Sequence, residues 1–195
     1  MPSLIPLKIK YMACELTNGF ALECNDLVGG IKNIYIAQFE DVTIAETNGT
    51  TTSISAGTNG DKIFKYALEQ GVGNFTETIV SSRENGTHHF EQSVTLSLNK
   101  MTAVKRNQIK LLAQNKLMIF CELNQKSALS RTIIVLGHMH GLTLTGGAVG
   151  QSGTAFADRV GHELTFSGNQ EDPHLFVEDN ATIFGADSLS SITTT

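Results

Sequence analysis

The sequence predicts a mainly β protein carrying one helix, and three observations lead there. Alternating polar and apolar residues recur along most of the chain, two near-continuous apolar runs follow at KLMIFCEL and RTIIVLG, and a single stretch shows helical spacing. With 195 residues, 41% of them hydrophobic, the chain can bury one sizeable core without disulfide or metal staples. Prolines occur only at Pro2, Pro6 and Pro173, so no Pro-rich linker divides it. One domain over 1–195 is the expectation.

Each element follows from its own pattern. Ile34, Ile36 and Gln38 share one side of GIKNIYIAQF, Phe64, Tyr66 and Leu68 one side of KIFKYAL, and Phe75, Glu77 and Ile79 one side of NFTETIV. Each reads as a half-buried strand. In THHFEQSVTLSL, Phe90, Val94, Leu96 and Leu98 fall on one face, and Glu91, Ser93, Thr95 and Ser97 on the other. With a turn at Asn85-Gly86, residues 74–98 form a long β-hairpin.

The helix is expected over about 100–116. Met101, Val104, Leu111 and Leu112 make its apolar stripe, Arg106 and Lys110 lie opposite, and Lys105 snorkels at the edge. A lone amphipathic helix among strands serves as a lid over the core. The apolar runs after it are strands covered on both faces. Residues 46–61, ETNGTTTSISAGTNGD, read as a long polar loop, well past the ~12–15 residues usual for a structureless connection. The tail over 185–195 lacks periodicity and is expected to fray.

Charge is unevenly spread within a net −5. Residues 100–116 hold Lys100, Lys105, Arg106, Lys110 and Lys116 without an acid. Residues 158–187 hold Asp158, Glu163, Glu171, Asp172, Glu178, Asp179 and Asp187 against Arg159 alone. An acidic chain is no general nucleic-acid binder. The asymmetry suits a subunit that meets copies of itself head to tail.

Catalytic and metal chemistry find little to stand on. His138 and His140 at the end of an apolar strand resemble the start of a cupin metal motif, but Leu142, Thr143 and Leu144 stand where a Glu would follow. His88 and His89 are adjacent and point to opposite faces of their strand. No serine lies in a GxSxG context, no cysteine has a basic neighbour, and Gly146-Gly147 with Gly150 lacks the Lys-Ser/Thr ending of a phosphate loop. Cys14, Cys24 and Cys121 are an odd set without CxxC spacing, and with no secretory leader in Met1–Lys10 they read as reduced thiols. The N-x-S/T triplets at Asn48, Asn74, Asn85 and Asn180 then reflect turn-forming Asn in a Thr-rich chain. Nothing approaches the ~20 apolar residues of a membrane helix. No cofactor is expected.

The second half of the chain resembles a known family. The strands LMIFCEL and TIIVLGHMHGL, then LTGGAVGQSGTAFADRVGHELTFSGNQEDP, are similar to the major tail protein of tailed bacteriophages, the subunit of the tail tube. Gly141, Leu142, Gly153, Ala155, Asp158, Gly161, Leu164, Gly168, Glu171 and Pro173 carry the likeness, which spans roughly 62–177. The resemblance implies a β-sandwich or β-barrel with one flanking helix and no catalytic residue. It also implies hexameric rings stacked into a tube that conducts double-stranded DNA, with partners among tape measure, terminator and baseplate proteins. The protein would then reside in the virion tail, and in host cytoplasm during assembly. On that reading the hairpin lines the channel through Glu77, Glu91, Ser93 and Thr95, and the 46–61 loop stacks rings through Asn48, Thr51, Ile54 and Asn59. A tail terminator, a baseplate ring or a capsid decoration protein is the alternative within that class. A cupin-like metal enzyme using His138 and His140 is the alternative outside it.

Overall fold

The computed structural model describes residues 19–20, 28–56, 63–126 and 131–177. Eleven strands and one helix are seen among them: β1 Ile31–Gln38, β2 Val42–Thr47, β3 Thr50–Ala56, β4 Phe64–Ala67, β5 Gly73–Ser82, β6 Thr87–Asn99, α1 Ala103–Gln114, β7 Leu117–Lys126, β8 Arg131–Leu136, β9 Thr143–Gly146, β10 Gly161–Gln170 and β11 Leu175–Val177. Two sheets result, a larger one in the order β2-β3-β11-β8-β7-β1-β4 and a smaller one in the order β5-β6-β10-β9. Pairing is antiparallel throughout except for β11 against β3. The mainly β expectation with one helix holds.

A shared core joins the sheets. Ile34, Ile36, Ile119, Cys121, Ile134 and Leu136 of the larger sheet meet Val94, Leu96, Leu164 and Phe166 of the smaller, with Ile109 and Leu112 of α1 alongside. A second cluster covers the other face of the larger sheet: Ala37, Val42, Met118, Phe120, Ile133, Val135, Leu175 and Val177. β7 and β8 are therefore buried on both faces, as their unbroken apolar runs predict. β1 is two-sided as well. Ile34 and Ile36 face the shared core while Asn33 and Ala37 are buried behind them, and Gln38 is exposed at the strand end.

Three expectations need correction. Residues 46–61 are not one structureless loop. Glu46 and Thr47 end β2, Asn48 and Gly49 make a two-residue turn with φ of 52° and 77°, and β3 follows at Thr50. Two successive positive φ values are what a tight hairpin of this twist requires, and Asn-Gly supplies them at least cost. The helix is shorter than 100–116, and of the expected stripe only Leu112 is buried. Ile109 and Leu112 enter the core, while Met101, Val104 and Leu111 are exposed. Met101 precedes the helix, which starts when the Thr102 hydroxyl accepts a hydrogen bond from Lys105 N. Finally, Ile79 is 66% exposed, because among the described residues no layer covers β5 outward of Glu77. The tail 185–195 lies outside the described residues.

The smaller sheet places the site. β5 and β6 pair from Gly73 opposite Leu96 to Ser82 opposite Thr87, leaving a four-residue connection, 83–86, that ends on Gly86. β6 continues into β10 from Phe90 opposite Gln170 to Asn99 opposite Gly161. Gly161 is required there, since a Cβ at that position would stand 2.1 Å from the Leu98 carbonyl oxygen.

Candidate functional site

The outer face of the four-stranded sheet is the surface with a composition of its own. Residues directly opposite on antiparallel strands share a face, so the register groups them without ambiguity. Glu91, Ser93, Thr95 and Ser97 of β6 stand beside Thr78, Thr76 and Asn74 of β5, and beside Asn169, Ser167, Thr165 and Glu163 of β10. β9 adds Thr143 and Thr145. Val80 and His89 continue the same face toward the hairpin tip, with His89 Nε2 3.8 Å from Glu91 Oε1. Among the described residues of this patch the carboxylates are Glu91 and Glu163, and no Lys or Arg occurs.

Short hydroxyl contacts tie the face together. Thr95 Oγ1 lies 3.3 Å from Thr165 Oγ1, and Thr145 Oγ1 lies 2.8 Å from Ser167 Oγ. Thr145 and Thr143 Oγ1 donate to the carbonyls of Thr165 and Ser167 at 3.3 and 3.5 Å. Hydroxyls that satisfy one another leave a flat wall with little to offer a ligand. The underside of the same strands is the core, carrying Val94, Leu96, Leu164 and Phe166, all fully buried. The two faces differ because the strands keep a strict period of two.

Glu77 does not belong to this wall. It stands opposite Gln92, and so on the face away from Glu91, Ser93 and Thr95, which do share the outer surface. Its Oε1 accepts from Gln92 Nε2 at 2.8 Å and from His174 N at 2.9 Å, and its Oε2 lies 2.6 Å from His174 Nδ1. Gln92, fully buried, also accepts from Gly137 N at 2.9 Å. Gln170 completes the arrangement: its Oε1 accepts from Met139 N and His140 N at 3.1 and 3.0 Å, and its Nε2 donates to Gly141 O at 3.1 Å. Two buried glutamines thus hold the 137–141 turn against the smaller sheet. Glutamines spaced along otherwise apolar strand faces were the available sign of this network.

That turn also decides the fate of the histidine pair. His138 and His140 sit in the turn after β8 rather than on a strand. His140 Nε2 lies 3.2 Å from Glu171 Oε1, whereas both ring nitrogens of His138 are buried without a hydrogen-bond partner. Burial, opposed in part by the fields of Glu46, Asp172 and Glu77, holds the His138 imidazole below its ordinary range. Among the described residues, no group of three or more His, Cys, Asp or Glu is placed to hold a metal ion. The Cys121 thiol is fully buried and its ionisation is strongly opposed by that burial. Cys14 and Cys24 lie outside the described residues.

The stacking residues expected at 46–61 are dispersed by the hairpin. Asn48 occupies the turn, but Thr51 is fully buried opposite Val177 and Ile54 packs against the second core. Thr51 is thus closed off within the chain, while Ile54 is only partly buried. Asn59 lies outside the described residues. The expected channel residues Glu91, Ser93 and Thr95 do come together; Glu77 is the one that the register removes. No helix among the described residues is long and apolar enough to cross a membrane. No family model matches the chain, and no curated protein or solved structure shows significant similarity to it.

Proposed function

We propose that this chain is the subunit of a phage-type tail tube, assembling into stacked rings whose channel is lined by the polar face of the four-stranded sheet. One observation carries the reading. A four-stranded antiparallel sheet packs one face on its own core and offers on the other a patch of Thr, Ser and Asn that carries Glu91 and Glu163 but no Lys or Arg. DNA passing a wall must not be held by it. Each phosphate neutralised by a Lys or Arg releases counterions and adds affinity, so a wall without cations lets the duplex slide.

The sheet edges support the same reading. Among the described residues, β5 and β9 each have a pairing partner on one side only, so the smaller sheet can be continued at both ends by copies of itself. On this proposal six copies close the ring, tape measure, terminator and baseplate proteins are its partners, the chain catalyses nothing, and it resides in the virion tail after assembly in host cytoplasm.

Negative-stain microscopy of the concentrated protein tests it, the expected images being rings or tubes with an axial channel. A dispersed monomer at every concentration would overturn the proposal. A second arm tests the wall: Thr76→Lys with Glu91→Lys should leave rings intact while tubes retain DNA at low salt and release it as salt rises, with a slope of about −0.9 per phosphate contacted. Tubes with no gain in retention would put this face outside the channel.

A further inference from the structure

The turn after β8 is hinged at both ends and held at its tip by a single side chain. Gly137 and Gly141 bracket it with φ of 76° and 73°, and Gly141 N donates to Gly137 O at 2.9 Å, which closes the base. Gln92 Oε1 and Gln170 Nε2 grip those two glycines at Gly137 N and Gly141 O. The tip depends on Gln170 Oε1 alone, which accepts from Met139 N at 3.1 Å and from His140 N at 3.0 Å. Both tip side chains are exposed, so little apolar burial adds to those two bonds. Segments with few buried apolar contacts open locally while the rest of a molecule stays folded.

His138 is the residue of this turn that gains from release. Its two ring nitrogens are buried and, among the described residues, neither has a hydrogen-bond partner. A neutral imidazole needs one acceptor and one donor, and an imidazolium needs two acceptors. The closed turn serves neither form. Glu46 at the end of β2, Glu77 on β5 and Asp172 before β11 act on His138 through their fields without bonding to it, and His140 is the other titratable group of its own turn. Gln92 of β6 and Gln170 of β10 bring no charge. Burial outweighs the three carboxylates, so the closed turn disfavours the proton. The other two histidines nearby are placed differently: His140 Nε2 has Glu171 Oε1 at 3.2 Å, and His174 Nδ1 has Glu77 Oε2 at 2.6 Å. A proton on either of those meets a carboxylate and does not drive opening.

We propose that this turn is an acid-operated latch: on protonation His138 leaves its buried seat, and residues 138–140 swing about Gly137 and Gly141 away from Gln170 while both sheets stay folded. The sign follows from where the proton is welcome. The open turn gives the imidazolium to water and the closed turn refuses it, so the latch is shut at neutral pH. Opening grows as pH falls below the ordinary histidine value of about 6.5, by at most about tenfold per pH unit. The device belongs to a single chain and does not depend on the tube reading.

Amide hydrogen exchange of the dilute protein at pH 7.5 and pH 5, corrected for the intrinsic rate at each pH, tests the latch. The amides of Met139 and His140 are compared with those of Ile119, Phe120 and Cys121 in the doubly covered strand β7. Local opening exposes little surface and hardly responds to low urea, whereas global unfolding does respond. The expected result is that Met139 and His140 are less protected than β7 at pH 7.5, and lose several-fold to about thirtyfold more at pH 5 with no sensitivity to urea. In His138→Gln, whose side chain cannot take the proton, the loss between the two pH values should vanish. An equal loss in that variant overturns the latch. The unaltered chain decides the matter on its own if the variant does not fold: tip amides that share the protection and the urea response of β7 open only with the whole molecule, and tip protection that is the same at both pH values shows no acid response. Either result overturns the latch.

Discussion

Replacing Gln92 with Leu is the sharpest test of the buried network. Leucine has nearly the same volume, so the change removes polarity without opening a large cavity. Two bonds disappear. Gly137 N loses its acceptor in a buried site, which costs about 1–3 kcal/mol, and Glu77 loses one donor, a charge-assisted bond worth about 1.5–3 kcal/mol. Glu77 keeps both contacts to His174, which places the second loss at the lower end of its range. The net destabilisation is therefore about 3 kcal/mol. Urea unfolding of the dilute protein, followed by far-UV circular dichroism because the chain has no Trp, should move the midpoint down by about 1.5 M for a slope of about 2 kcal/mol/M. Ser93→Ala, on the opposite face of the same strand, should change it by less than about 0.5 kcal/mol. A Gln92→Leu loss no larger than that of Ser93→Ala would refute the claim that these hydrogen bonds hold the turn.

Two more outcomes follow from the same geometry. His138 has a folded pKa below its unfolded value of about 6.5, so the unfolded chain binds the extra proton; stability is full above that pH and falls as pH drops through it, and His138→Gln should reduce the difference between urea midpoints at pH 7.5 and pH 5. An unchanged difference would show that other groups set the acid response. Gly161→Ala forces a Cβ against Leu98 O and should cost about 1–3 kcal/mol in the same unfolding assay, whereas Gly146→Ala, with open space around it, should cost far less.

Much of this architecture was legible because burial on both faces leaves an unbroken apolar run and burial on one face leaves alternation. KLMIFCEL and RTIIVLG announced β7 and β8, and the alternation on either side of Asn85-Gly86 announced β5 and β6. The β2–β3 hairpin was hidden by composition. Thr and Ser read as loop, although Thr is β-branched and Asn48-Gly49 is a strong hairpin turn. In α1, the choice between Val104 or Leu111 and Ile109 depends on which side of the helix the sheets approach, and that is tertiary information. Of the proposed wall, the β6 face was readable within one strand. The contributions of β9 and β10, and the exclusion of Glu77, required register.

Register also explains why a polar network sits in the core of this sheet. A β5 strand slipped by one residue against β6 would send Thr76 and Thr78 inward and carry Phe75 and Glu77 to the outer face. Thr-rich strands resist such a slip weakly, because their outer face gains no energy from any one pairing. The inner face supplies the discrimination. With Glu77 opposite Gln92, one carboxylate meets Gln92 Nε2, His174 N and His174 Nδ1 together, and Gln92 at the same time meets Gly137 N. A slip of β5 by one would break the three bonds of Glu77 and strand a carboxylate away from its partners, a cost of several kcal/mol. The buried network and the polar outer face are thus two consequences of one register: the strand pair is held in place by what it hides.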